Sequence, residues 1–138
     1  MKFIASIFLF VLFIAIGTTA CKKGGSTPNP PTTTEENLVI ALDPDPGTTT
    51  IKALGTSYDF KVIIQSKMPA NGVTINITYR KDADNSVISS QNLESSTTPV
   101  SVTVNNITAE VGTVTVTVTS KTKGTNTATK SFKLVKKV

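Results

Sequence analysis

The sequence predicts an all-β fold in which residues 38–138 form one sandwich of about seven to eight antiparallel strands. Apolar and polar residues alternate with a period of two in several runs, and turn-forming residues separate those runs. No stretch of this region has the i, i+3, i+4, i+7 spacing of an amphipathic helix. Because so many inward faces could not be buried by a single sheet, two packed sheets are predicted.

Four runs give the clearest strand pattern. Their predicted core-facing residues are Tyr58, Phe60, Val62 and Ile64; Val73, Ile75, Ile77 and Tyr79; Val100, Val102 and Val104; and Val114, Val116 and Val118. The intervening positions are mostly polar, and in the last run they are all threonine, which suits an exposed strand face. Weaker strands are predicted at residues 38–42, 49–53, 86–92 and 127–135.

The order of these runs, a strong pair, a short linking strand and then three more strands, resembles that of immunoglobulin-like and fibronectin type III-like domains. The resemblance covers the whole of residues 38–138 and implies an immunoglobulin-like sandwich. The chain has neither the cysteine pair nor the core tryptophan of antibody domains, since it contains one Cys and no Trp.

Residues 1–20 are predicted to be a secretory signal peptide. Lys2 precedes an apolar run over residues 3–16 that only Ser6 interrupts, and small residues follow. The segment Thr18-Thr19-Ala20-Cys21 resembles the lipobox of bacterial lipoproteins, in the looser form familiar from Bacteroidota. The resemblance implies that Cys21 is acylated and anchors the protein in the outer membrane. Two alternatives remain, an ordinary signal peptide cleaved nearby and an uncleaved anchor helix.

Residues 21–37 are predicted to be the lipidated cysteine and a flexible tether. The 16 residues from Lys22 to Asn37 include no apolar side chain and are rich in Gly, Pro and Thr. In an extended conformation of about 3.1 Å per residue they would span roughly 50 Å. Surface lipoproteins of Bacteroidota usually carry acidic residues after the cysteine, whereas this chain has Lys22 and Lys23, so a periplasm-facing position is favoured over the cell surface.

The composition argues against catalysis. The chain has no His and a single Cys, which excludes an imidazole base, a His-based metal site and an intramolecular disulfide. No paired carboxylates or Ser-Lys spacing suggest another mechanism, and no cofactor is predicted.

Two acidic turns are weak calcium candidates, one with Asp43 and Asp45 and one with Asp82 and Asp84. A rigid proline turn and a polar hairpin turn, respectively, explain them equally well.

The sequence therefore predicts a non-catalytic, lipid-anchored envelope protein whose sandwich acts as a binding, adhesion or accessory module. Its expected partners are the membrane, through acylated Cys21, and an envelope protein or polymer of unknown identity, with no nucleic acid; a monomer is expected. The alternative is a carbohydrate-binding accessory lipoprotein of a polysaccharide-uptake system. Sugar-binding surfaces usually expose aromatic rings, and the aromatic residues after the tether all have core-facing parity, namely Tyr58, Phe60, Tyr79 and Phe132.

Overall fold

The computed structural model of the protein describes residues 34–138, which contain eight β-strands and no helix. The strands are β1 (Ile40–Asp43), β2 (Ile51–Ala53), β3 (Ser57–Ile64), β4 (Val73–Lys81), β5 (Val87–Ser95), β6 (Val100–Asn105), β7 (Gly112–Ser120) and β8 (Thr127–Lys136). None of the described residues belongs to a helix long and apolar enough to cross a membrane. The predicted signal peptide, lipobox and most of the predicted tether lie outside the described residues.

The strands form two sheets. One has three strands in the order β1-β3-β6, and the other has five in the order β2-β8-β7-β4-β5. Phe60 of the first sheet and Phe132 of the second meet edge to face, with ring centroids 5.4 Å apart, so the sheets pack against each other. The predicted all-β sandwich of about seven to eight strands is confirmed.

One strand pair differs from the predicted antiparallel arrangement. β2 runs parallel to β8, with Ile51 opposite Leu134, whereas all the other neighbouring strands are antiparallel. The reason is that β1 and β2 run in the same direction and the segment between them, which includes Pro44 and Pro46, carries the chain from one sheet to the other. Alternation within a short strand gives no information about the direction of its neighbour.

The core is built from the alternate residues of both sheets. The buried hydrophobic side chains are Leu38, Ile40, Leu42, Ala53, Phe60, Val62, Ile64, Val73, Ile75, Ile77, Tyr79, Val102, Val104, Ile107, Val114, Val116, Val118, Phe132 and Leu134. Of the core-facing residues predicted for the four clear strands, only Tyr58 and Val100 are half-buried rather than buried, and both pack against this core. The predicted face of each strand is therefore correct.

The two ends of the sandwich carry different loops. The entry pole, where the described chain begins, comprises residues 34–39, 65–72, 96–99 and 121–126; there the amide of Lys121 donates to the carbonyl of Gly72 (3.0 Å). The far pole comprises residues 54–56, 82–86 and 106–111; there the amide of Asp82 donates to the carbonyl of Val111 (3.1 Å). One set of loops therefore lies at the opposite end of the strands from the point where the chain enters the fold.

Candidate functional site

The first acidic turn is built around Asp45, in the segment that crosses from β1 to β2. Its Oδ1 accepts a hydrogen bond from the amide of Gly47 (3.0 Å), and Gly47 has a φ of 55°, in the left-handed region that glycine adopts without steric cost. Asp43 is the last residue of β1 and lies opposite Lys61 of β3. This geometry is that of the rigid turn proposed from the sequence.

The second acidic turn closes the β4–β5 hairpin. The amide of Lys81 donates to the carbonyl of Ser86 (2.9 Å), and Asn85 takes a left-handed φ of 58°, which asparagine tolerates better than most residues. Asp84 Oδ1 accepts the amide of Ser86 (2.9 Å), and hydrogen bonds from Ser86 hold the pKa of the Asp84 carboxyl below its usual range. The polar hairpin turn is thus present.

Both carboxylate oxygens of Asp82 accept hydrogen bonds. Oδ2 accepts from Lys133 Nζ (2.7 Å) and Oδ1 accepts from Thr113 Oγ1 (2.6 Å), while Lys133 also donates to Thr113 (2.7 Å). These bonds, that from Lys133 first, hold the pKa of the Asp82 carboxyl below its usual range. An oxygen pair already occupied by an ammonium and a hydroxyl suits an ion pair better than a calcium ligand.

The structure does not bring the acidic residues of these two turns together as a set of calcium ligands. Within residues 34–138, no group of three or more carboxylate, His or Cys side chains is arranged to hold a metal ion. The four candidates Asp43, Asp45, Asp82 and Asp84 are all exposed, and three of them accept the turn or ion-pair hydrogen bonds already described. Calcium binding therefore stays a prediction.

A polar hollow of about 420 Å³ lies beside the second acidic turn. Arg80, Lys81 and Lys133 supply cationic groups to its wall. Each cation already has an acceptor: Arg80 donates to the carbonyl of Asn85 (3.0 Å), Lys81 lies 3.0 Å from Glu110, and Lys133 bonds Asp82. The hollow is consequently an ion-paired polar surface, and its geometry gives neither an activated nucleophile nor a general base.

The aromatic side chains occupy the core, as their parity predicts. Phe60, Tyr79 and Phe132 are buried, and Tyr58 is half-buried, with its ring centroid 6.3 Å from that of Phe60 and 6.1 Å from that of Phe132. Burial raises the pKa of the Tyr58 hydroxyl. No aromatic side chain in the described part of the chain is classed as exposed, and the half-buried Tyr58 is the most accessible of the four rings.

The end of the predicted tether contacts the sandwich at the entry pole through Asn126. Its Nδ2 donates to Glu35 Oε1 (2.6 Å) and to the carbonyl of Glu36 (2.8 Å), and its Oδ1 accepts the amide of Leu38 (2.9 Å). Ser120 Oγ donates to Glu35 Oε2 (3.0 Å). We call these five residues the entry clamp. Because they lie up to 91 positions apart, no local sequence signal predicts the clamp.

Replacing Asn126 with alanine is expected to lower the free energy of unfolding by about 1–3 kcal/mol, because the buried amide of Leu38 and the carbonyl of Glu36 lose their partner. Urea denaturation followed by circular dichroism measures the change. Asn105→Ala removes the same amide group from an exposed position and should change stability by less than about 0.5 kcal/mol. Equal losses in the two variants would contradict a specific role for the clamp.

Comparison with known proteins gives no match: no family model, no curated protein and no solved structure is significantly similar to the chain.

Proposed function

We propose that this protein is a non-catalytic, lipid-anchored cell-envelope protein that presents one immunoglobulin-like sandwich as a binding, adhesion or accessory module. The observation that carries the proposal is the entry clamp. It fixes the point where the chain enters the fold at one end of the strands, so the far pole is the end opposite to the one that the tether joins. The strand order of the two sheets supports the immunoglobulin-like assignment.

Exposed apolar side chains support the far pole as the contact surface. Leu54 is 85% exposed and Val111 is 41% exposed, and both lie in far-pole loops. Val87, which is 50% exposed, begins β5 directly after the far-pole hairpin turn. Val39 is also 50% exposed at the entry pole, so exposed apolar side chains are more frequent at the far pole but are not confined to it. Covering apolar surface stabilises a contact, which supports a protein or polymer partner at the far pole.

The alternative function, carbohydrate binding in a polysaccharide-uptake system, has less support. Its usual stacking surface would require an exposed aromatic ring, and Tyr58, the least buried of the four aromatic residues, still packs on Phe60 and Phe132. We also propose that the lipid-anchored protein lies on the periplasmic side of the outer membrane. This part of the proposal is supported by the two lysines that follow Cys21.

Cys21→Ala is expected to abolish both membrane retention and acyl labelling, because a diacylated or triacylated cysteine exceeds the two-signal requirement for stable anchoring and the rest of the mature chain offers no replacement. Fractionation of cells after a high-salt wash measures retention, with Lys22→Ala as the matched control. An Ala variant that still sediments with membranes would replace the lipoprotein proposal with an uncleaved anchor helix.

The same strains test the contact surface. A photo-crosslinking amino acid at Leu54, in the far pole, should form a discrete adduct in cells, and the same group at the exposed Thr125, in the entry pole, should not. Adducts at Thr125 alone would show that the partner binds the opposite end of the sandwich and would overturn this part of the proposal.

A further inference from the structure

The edge strands of the two sheets differ in how they are protected against pairing with a strand of another molecule. An edge strand exposes a row of unpaired backbone N–H and C=O groups, which another strand can use for pairing. Within residues 34–138, β1 and β6 border the three-stranded sheet, and β2 and β5 border the five-stranded sheet. β8 is also an edge over most of its length, because β2 pairs with residues 134–136 only.

Two of these edges are short. β1 has four residues and is followed directly by Pro44, and β2 has three residues. Short edges and nearby prolines are common natural means of preventing strand addition, because too few backbone groups are presented in a row. Neither edge therefore offers an extended pairing surface.

Two further edges are blocked by particular side chains. The carbonyl of Thr103 on β6 accepts a hydrogen bond from Gln91 Nε2 (2.9 Å), which satisfies one edge acceptor. On β8, Lys130 stands opposite the buried Val116 and so has core-facing parity, yet it is exposed. A lysine with core-facing parity on an edge would be buried by any added strand, which is a strong obstacle to pairing.

Over residues 89–95, β5 has none of these protections. It is nine residues long and contains no Lys, Arg, Pro or Gly. Its one charged residue, Glu94, is held by Lys121 Nζ at 2.7 Å. Ile88 of β5 is a bulge between the pairs Arg80–Val87 and Tyr79–Ser89, and pairing with β4 is regular over residues 89–95. Among the described strands, β5 is therefore the long edge that is left open, over these seven residues.

We propose that β5 is a self-association edge, through which two copies of this protein join their five-stranded sheets by antiparallel β5–β5 pairing. The proposal does not rest on the anchor or on the far-pole contact surface, and it replaces the monomer expected from the sequence. A two-fold axis generates antiparallel strands automatically and uses the same surface on both copies, as in the commonest class of homodimer.

The composition of β5 favours a second copy over a charged foreign strand. If the two-fold axis passes beside Gln91, Ser90 faces Asn92 of the second copy on the outer side, and both can exchange hydrogen bonds. On the core side, the half-buried Leu93 lies opposite Ser89 of the second copy. No like charges oppose each other in this register, because Glu94 faces Ile88 of the second copy.

The expected tether allows such pairing on one membrane. Antiparallel strands place the two entry poles at opposite ends of the dimer, and a strand of nine residues is about 30 Å long. After the clamp has taken up residues 34–37, the 12 residues from 22 to 33 would still span about 37 Å when extended. Both copies can therefore be anchored in the same bilayer.

The test is sedimentation velocity of the chain from residue 22 to 138, which contains the complete hydrophobic core and the clamp. We expect reversible dimers with a dissociation constant at or below about 1 mM. Ser89→Lys places on β5 the core-facing charge that Lys130 supplies on β8, and it should weaken dimerisation at least about tenfold. Ser131→Lys adds the same charge to the exposed face of β8 and should leave dimerisation unchanged.

Three outcomes would overturn the proposal: a wild-type chain that stays monomeric up to about 1 mM, equal weakening by the two lysine variants, or dimers that persist in Ser89→Lys. If Ser89→Lys fails to fold, backbone hydrogen exchange of the wild-type chain decides. The amides of β5 should become more protected as the protein concentration rises, and those of β1 should not. Protection that does not change with concentration would count against β5 pairing.

Discussion

Ile75→Ala is expected to lower the free energy of unfolding by about 2–5 kcal/mol, a large share of the total stability of a small domain. Ile75 lies in the middle of β4, between β5 and β7, and its side chain is completely buried. Truncation removes apolar contacts and leaves a cavity that the strands on either side cannot fill. Phe60→Ala should have a loss in the same range, because it also breaks the edge-to-face contact with Phe132.

Thr74→Ala and Lys61→Ala are the matched controls, because they lie next to the two core positions on the opposite faces of the same strands. Each should change stability by less than about 0.5 kcal/mol in the same urea titrations. If Ile75→Ala and Thr74→Ala destabilise the protein equally, the assignment of the β4 faces is wrong.

Gly112→Ala is the second substitution expected to be strongly destabilising, by about 1–3 kcal/mol or more. A Cβ atom at this position would lie 2.5 Å from Cε2 of Tyr79 and 2.5 Å from the carbonyl oxygen of Arg80. The Tyr79 ring has no room to move, because it is completely buried and its hydroxyl donates to the carbonyl of Leu134 (3.3 Å). The added methyl must therefore displace backbone or distort the core.

Gly124→Ala provides the control for this experiment. Nothing lies within 4 Å of a Cβ atom at Gly124, so the methyl enters open space, and stability should be unchanged or slightly raised by the lower entropy of the unfolded chain. Near-ultraviolet circular dichroism reports on the tyrosine environment and should change in Gly112→Ala only. An unchanged spectrum and stability in Gly112→Ala would contradict the close packing of Tyr79.

The strands with the clearest alternation could be predicted because each buries only one of its two faces. In β7, valine and threonine alternate without a break from Thr113 to Thr119, and the structure buries Val114, Val116 and Val118. The sequence predicts β5 at residues 86–92, whereas the strand is Val87–Ser95, because an edge strand rich in polar residues has little hydrophobic alternation to mark its end. A period of two also fixes which face of a strand is buried but leaves the neighbouring strands undetermined.

The functional surfaces could be predicted only where they depend on local chemistry. The turns at Asp45 and Asp84 follow from residues two positions apart. The entry clamp joins residues about 90 positions apart, and the exposure of the β5 edge depends on which strands lie beside it. Both are properties of the assembled sheets, so composition and spacing along the chain contain no direct sign of them.

The entry clamp also determines how a mechanical load would pass through the molecule. A pull on the chain before Glu35, resisted by a partner at the far pole, acts nearly along the strands. Through Leu38 the force enters β1 and the three-stranded sheet, and through Asn126 it enters β8 and the five-stranded sheet. The ladders of β1 with β3 and of β2 with β8 are then loaded in shear, so their hydrogen bonds share the force instead of opening one at a time. A force applied in that direction is therefore carried by both sheets together.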